Sequence, residues 1–200
     1  MAGVAVVHHA TLVPSKIDAL KAWLPRQSWF AGDASDLEVV GQFRFVDPAG
    51  AVGLQTMLVT SRGALYQVPL SYRDAPLEGA EAALLCTMDH SVLGTRWVYD
   101  SLADPVYADE LLRTIVEADT GAETSTGSEQ TPVEGSGADG IELAPGTRQG
   151  DDVISYGAYT IHVARHPDEA EPIDAAGILT AELAWDGDDL TLVLAELRTA

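Results

Sequence analysis

Between Asp36 and Tyr72 short apolar stretches are cut apart by turn residues: 37–45, then Asp47-Pro48-Ala49-Gly50, then 52–60, then Ser61-Arg62-Gly63, then 65–72. Connections this short leave no room for a crossover, so the stretches read as three antiparallel strands joined by hairpins. In the third, Tyr66, Val68, Leu70 and Tyr72 alternate with Gln67, Pro69 and Ser71, which gives one apolar face. Pro69 cannot donate to a ladder and is expected at a strand edge or a bulge.

Helices flank this sheet. Ser15, with Asp18 three residues on, forms a capping-box variant after Pro14, and Ile17, Leu20 and Leu24 recur at helical spacing until Pro25. A helix of about ten residues follows from that pattern. Leu77, Ala80 and Leu84 predict a second helix within 76–88, with Glu78 and Glu81 in a first turn whose dipole favours them, and with Cys86 as a buried small hydrophobe. Residues 91–100 read as a strand after a Gly94 turn. Asp104-Pro105 then opens a helix with proline at its first position and Val106, Leu111, Leu112 and Ile115 on its apolar face, running to about Ala118.

Residues 119–151 lack periodicity and are dominated by Gly, Ser, Thr, Glu and Asp, the composition of a flexible acidic linker. Strands return at 153–156, 159–165, 178–185 and 190–197, with Asp186-Gly187 a hairpin signal between the last two. Some fifty residues of sheet seldom hold a core alone, so this tail is expected to dock onto the preceding part. The expected division is therefore 1–118, an α+β domain with a curved antiparallel sheet and packed helices; 119–151, a linker; and 152–200, a small antiparallel β unit.

Charge narrows function. The 200 residues carry 11 Lys and Arg against 31 Asp and Glu, a formal net charge of −20. Residues 1–103 hold seven basic and ten acidic side chains, net −3, and residues 104–200 hold four and 21, net −17. Nucleic-acid backbones and anionic membranes are repelled by such a surface, and phosphates such as ATP are disfavoured unless a cation bridges them. One cysteine makes no internal disulfide, no apolar run approaches a membrane span, and the first ten residues lack the pattern of a secretory signal. A reducing cytoplasm is the expected setting.

Motifs for chemistry are sparse. Asp89-His90-Ser91 has the residue types of a hydrolase triad, but neighbours on a strand point to opposite faces and do not converge. His8, His9, His162 and His166 lack a carboxylate or cysteine at ligand spacing, and Asp186, Asp188 and Asp189 lack the alternation and closing Glu of a calcium loop. No glycine-rich phosphate cradle occurs. No catalytic residue, metal site or cofactor is therefore assigned. The aromatics Trp29, Phe30, Trp97 and Tyr99 are the candidate contact residues for a sugar or a partner, since flat rings stack on sugars, although core filling is their ordinary use.

Several segments in order carry a resemblance: His8-His9-Ala10-Thr11-Leu12, Trp23-Leu24-Pro25-Arg26-Gln27-Ser28-Trp29-Phe30-Ala31-Gly32, Tyr66-Gln67-Val68-Pro69-Leu70-Ser71-Tyr72-Arg73, Ala75-Pro76-Leu77-Glu78-Gly79-Ala80-Glu81, His90-Ser91-Val92-Leu93-Gly94-Thr95-Arg96-Trp97-Val98-Tyr99-Asp100 and Asp104-Pro105-Val106. Together they resemble the N-terminal cap domain of actinobacterial maltokinases over about residues 8–118. The resemblance implies a cystatin-like cap. In those kinases a lysine, a His-x-Asp segment and a magnesium-binding Asp follow the cap. Here Tyr159-Thr160-Ile161-His162-Val163 resembles the lysine-bearing strand only loosely, with His162 at the charged position, and Asp33 stands where the kinases tend to be basic. The chain looks most like stand-alone cap-like proteins, some labelled glucan-branching, although a branching enzyme needs paired carboxylates in a large barrel. The resemblance implies a non-catalytic regulatory or docking partner of an enzyme of trehalose, maltose or α-glucan metabolism. A carbohydrate-binding module is the alternative, and a residual ATP-dependent sugar kinase ranks last.

Overall fold

The first two hairpins form where the turn chemistry directs them. In the computed structural model, which describes residues 3–170, 172 and 174–200, the Asp47 carboxylate accepts the amides of Ala49, Ala51 and Val52 at 2.8–2.9 Å and so closes the first turn. Arg62 and Gly63 both take positive φ, 51° and 74°, as a two-residue hairpin requires. In chain order the elements are β1 (Val4–Ala5), β2 (Leu12–Val13), α1 (Lys16–Trp23), β3 (Glu38–Val46), β4 (Gly53–Ser61), β5 (Ala64–Arg73), β6 (Leu84–His90), β7 (Gly94–Asp100), α2 (Pro105–Val116), β8 (Glu123–Thr124), β9 (Val133–Gly135), β10 (Thr147–Gln149), β11 (Val153–Ser155), β12 (Tyr159–Asp168), β13 (Gly177–Trp185) and β14 (Asp188–Thr199). The fold is thus mostly antiparallel sheet with two short helices, broadly α+β.

Two six-stranded sheets result, ordered β2-β6-β7-β5-β4-β3 and β10-β11-β12-β14-β13-β9, with β1 and β8 pairing in parallel beside them. Strand alternation sorts the first sheet into two apolar faces. Met57, Val59, Tyr66, Val68 and Leu70 lie against Ala19, Leu20, Trp23 and Leu24 of α1 and its last turn. Phe43, Phe45, Leu54, Leu58 and Leu65 join α2 and the second sheet in a shared core with Leu111, Ile161, Leu179 and Leu194. Gln67 on that face is buried and donates to the carbonyls of Ala164 and Leu194 at 3.1 and 2.9 Å, tying β5 to the second sheet.

Both capped helices appear at the expected places. Ser15 Oγ accepts the Asp18 amide at 3.2 Å, and Asp104 accepts the Val106 amide at 3.1 Å with Pro105 at the first position of α2. Asp186 and Gly187 turn β13 into β14 with φ of 54° and 90°.

Three expectations need correction and a fourth is narrowed. Residues 76–88 are not a helix: Gly79 takes φ +78°, a single turn spans Glu81–Ala83, and β6 follows. Leu85 and Met88 are buried three residues apart, a helical spacing that a strand reaches only through the irregularity between Leu84 and Cys86, and the ladder from Leu84↔Tyr99 to His90↔Gly94 decides for strand. Cys86 therefore sits half-buried on β6, where burial pushes its thiol pKa up. Pro69 is at no bulge and β5 is an interior strand, yet the expected edge exists locally: Pro69 pairs with Thr56 on the β4 side alone, one residue short of where the β7 ladder begins at Leu70↔Asp100.

The stretch 119–151 is not an aperiodic tether, for it carries β8, β9 and β10. Its backbone amides run along the outer edge of β3, Ala122 to Arg44 O at 2.8 Å and Thr131 to Gln42 O at 2.7 Å. The amides of Gly137 and Ala138 close the last carbonyls of α2, at Ile115 and Val116. Backbone pairing, helped by the Ser125, Thr131 and Ser136 hydroxyls and a buried Val133, orders it, so a composition of small polar residues is no obstacle. The second sheet consequently has six strands, two of them drawn from this stretch.

Gly135 shows how closely that stretch is held: a Cβ there would lie 2.0 Å from the Thr114 carbonyl oxygen. Gly135→Ala is expected to lower stability by about 1–3 kcal/mol in urea denaturation, because backbone cannot yield as a side-chain tip can. An unchanged midpoint would mean that β9 does not rest on α2.

Candidate functional site

The sequence-expected aromatics divide between two places. Trp29 and Phe30, in the loop after α1, are half-buried and pack on the α1 face of the first sheet, Phe30 with its ring 4.8 Å from Tyr66 and Trp29 5.9 Å from Trp23. Arg165 of β12 lies 4.7 Å over the Trp29 ring, and His166 Nε2 meets the Trp29 carbonyl at 2.8 Å. Beside Trp29 a cavity of about 580 Å³ is lined by Asp151, His162, Arg165, His166 and Glu196 among others. Trp97 and Tyr99, on β7, belong to a separate cluster with Leu77, Ala80, Ala83 and Leu84. Trp97 is half-buried; Tyr99 is buried and its hydroxyl accepts the Leu77 amide at 2.9 Å. The four rings therefore do not form one platform. No group of three or more His, Cys, Asp or Glu suited to a metal exists among the described residues.

A different cavity, of about 590 Å³, is the most chemically distinctive concavity of the molecule. It opens where the start of α1, the edge of the first sheet, the segment before β2 and the β6–β7 turn meet. Alternation brings its β3 cation there: Arg44, like Gln42 beneath, points away from the face that carries Phe43 and Phe45, and Arg44 pairs across the ladder with Gln55. Tyr72 enters from β5 opposite Gly53, where no side chain competes for the space.

A relay of amides orders the floor. Lys16 Nζ donates to Gln55 Oε1 at 2.6 Å, Tyr72 donates to the same oxygen at 3.4 Å, and Gln55 Nε2 donates to Gln42 Oε1 at 2.6 Å. The Lys16 ammonium also stands 5.6 Å from the centre of the Tyr72 ring, within reach of its π face. Arg96 reaches the Leu93 carbonyl, and His8 and His90 meet edge to face with ring centres 5.9 Å apart. His90 Nδ1 accepts the amides of Val92 and Leu93 at 3.2 and 3.1 Å, which places its ring proton on Nε2.

Cations crowd here. Burial, and then the nearby Arg44 charge, lower the Lys16 pKa from 10.5 to about 8. Burial likewise lowers Arg44 and raises the Tyr72 hydroxyl above its ordinary value, while burial first and His8 second lower His90. Asp47 also lines the cavity but its two oxygens are already taken by turn amides, and Asp74 is exposed.

Sequence reading passed over these residues because Lys16, Gln42, Arg44, Gln55 and Tyr72 are scattered over almost sixty positions without a motif. The signal available was that polar residues fall on the second face of otherwise apolar strands.

Residues 23–104 match the family model of the maltokinase N-terminal cap domain, a span that runs from the end of α1 through the first sheet to the cap of α2. No curated protein matches the chain. No helix among the described residues is long and apolar enough to cross a membrane.

The Lys16 environment has a pH signature. Between pH 8 and 10.5 the unfolded chain holds a proton that folded Lys16 has released, so this group makes stability rise with pH across that window. Lys16→Met removes the contribution. Measured by denaturation at a series of pH values, the variant should gain most over the parent at pH 7, and the margin should shrink as pH climbs through 8 towards 10.5. A pH-independent difference would place the ammonium in ordinary solvent.

Proposed function

We propose that the chain is a non-catalytic, cytoplasmic cap-like protein, with the curvature of a cystatin-like cap, that docks to and regulates an enzyme of trehalose, maltose or α-glucan metabolism. The observation that carries this reading is the match of 23–104 to a domain whose model is defined as the cap of maltokinases. A cap is a module that works beside catalytic lobes, and the residues matched here supply a sheet and hairpins rather than a cluster of catalytic groups. In the lining of the basic cavity Val6 and Leu93 are exposed, at 71% and 43%. Apolar side chains gathered at a rim suit a contact surface better than open solvent.

Purified enzymes of this metabolism, beginning with a maltokinase, provide the test by surface-immobilised binding to the full chain. At least one is expected to bind with Kd tighter than about 100 µM, and Leu93→Asp combined with Val6→Asp should weaken it at least about tenfold. Absence of binding by the whole panel would remove the docking role.

A second reading, a carbohydrate-binding module, draws on Trp29 alone, since that half-buried ring borders a cavity of about 580 Å³ with polar groups on its other walls. A change in Trp fluorescence on titration with maltose or a maltooligosaccharide, lost in Trp29→Ala, distinguishes it from docking.

A further inference from the structure

The distribution of paired and unpaired cations singles out the cavity between α1 and β3. Six of the 11 Lys and Arg side chains, Arg62, Arg73, Arg113, Arg148, Arg165 and Arg198, form ion pairs with carboxylates among the described residues. The remaining five are Lys16, Lys21, Arg26, Arg44 and Arg96, and three of these five line this one cavity. In a chain with 31 carboxylates, leaving two half-buried cations in one cavity without an ion pair is costly, because each repels the other and both lose hydration. Of the two carboxylates in the lining, Asp47 is occupied by three turn amides and Asp74 is exposed and pairs with neither cation, which leaves room for a negative charge from outside the chain.

We propose that the cavity binds a small dianion of the phosphate-monoester class, with Lys16 and Arg44 holding the phosphoryl group. The donors suit that role. Gln55 takes one of the three Lys16 ammonium protons at 2.6 Å and so fixes the direction of the other two. Arg44 makes no hydrogen bond to protein groups among the described residues, so its whole planar fork is open to a bidentate oxyanion. Two cations match two negative charges. A neutral sugar would leave both unmatched, and a metal ion would be repelled.

The rest of the cavity fits an organic substituent. Its volume of about 590 Å³ lies in the usual range for small-molecule sites, and Leu12, Val52, Met88 and the Tyr72 ring wall it with apolar surface. The exposed Asp74 at the rim offers a partner for hydroxyl groups. This site does not depend on the docking role proposed above.

The probes are inorganic phosphate, phenyl phosphate and, as a neutral control, phenol, titrated into the full chain and followed by backbone and lysine ammonium NMR. Phosphate at about 10 mM is expected to shift resonances of Lys16, Arg44 and Gln55, with phenyl phosphate binding more tightly than phosphate and phenol not binding. Arg44→Gln and Lys16→Gln should each weaken phenyl phosphate at least about tenfold, whereas Arg26→Gln, which removes an exposed unpaired cation elsewhere, should leave it unchanged. Saturation with phosphate should also move the Lys16 deprotonation upward from about 8. Thermal melts check that the variants fold, and Arg44→Lys, which keeps the charge, should retain part of the affinity if Arg44→Gln does not fold. Equal binding by folded Arg44→Gln, an equal loss in Arg26→Gln, or no shift at cavity residues would each overturn the proposal.

Discussion

The structure turns on the buried ion pair between Asp100 at the end of β7 and Arg165 in β12. The two are 2.7 Å apart with side-chain exposures of 1% and 4%. Neither charge is tolerable alone at such burial, and the pair stands because further groups satisfy it. Arg165 donates through Nε and Nη2 to the Asp151 carbonyl at 3.0 and 2.6 Å and lies on the face of Trp29. Asp100 also meets Arg148 at 3.2 Å and accepts the Leu102 amide at 3.5 Å. Three distant segments, at Trp29, Asp100 and Asp151, thus converge on one guanidinium, and the second sheet cannot leave the first without stranding a charge.

That joint changes how the family match is understood. The matched span ends at Asp104, yet both Trp29 and Asp100 within it are held by Arg165 from outside it. Phe43, Phe45, Leu54 and Leu58 likewise find their cover in α2 and the second sheet. The first sheet supplies one face to α1 and leaves the other apolar, and residues after 104 close it. Asp104 marks the handover: fully buried, it caps α2 and takes both arms of Arg73 at 2.6 and 2.7 Å.

Elements with local signals were legible in the sequence. The hairpins of 38–73, the caps at Ser15 and Asp104, and the Asp186-Gly187 turn are each set by a few neighbouring residues whose conformational needs are specific. Residues 76–88 misled because apolar side chains at three- and four-residue spacing satisfy a helix until a partner strand is present. The stretch 119–151 misled for the opposite reason: many of its contacts are backbone amides to β3 and α2, and the side chains that help, such as Thr131 and Ser136, carry no periodic pattern. The basic cavity was invisible because it is a property of register. Arg44 faces Gln55 only because β3 and β4 pair with a bulge between Val39 and Gly41, and Lys16 reaches Gln55 only because α1 lies on that face.

Net charge illustrates the same gap between sequence and space. A formal −20 argues against extended polyanions, which meet the whole surface, and it first argues against phosphates too. But fields between exposed charges fade over about 8 Å at physiological ionic strength, while a half-enclosed cavity is governed by what lines it. Part of the acidity of residues 104–200 is spent locally, as where Glu110, Glu117 and Asp119 all converge on Arg113: burial raises the Asp119 pKa, but the bond to that cation and other hydrogen bonds outweigh it and hold Asp119 down at about 2. The cavity lies in the near-neutral half, where Lys16, Arg44 and Arg96 line it without an ion pair and its two carboxylates are an Asp47 taken up by turn amides and an exposed Asp74, so its lining does not follow the sign of the molecule as a whole.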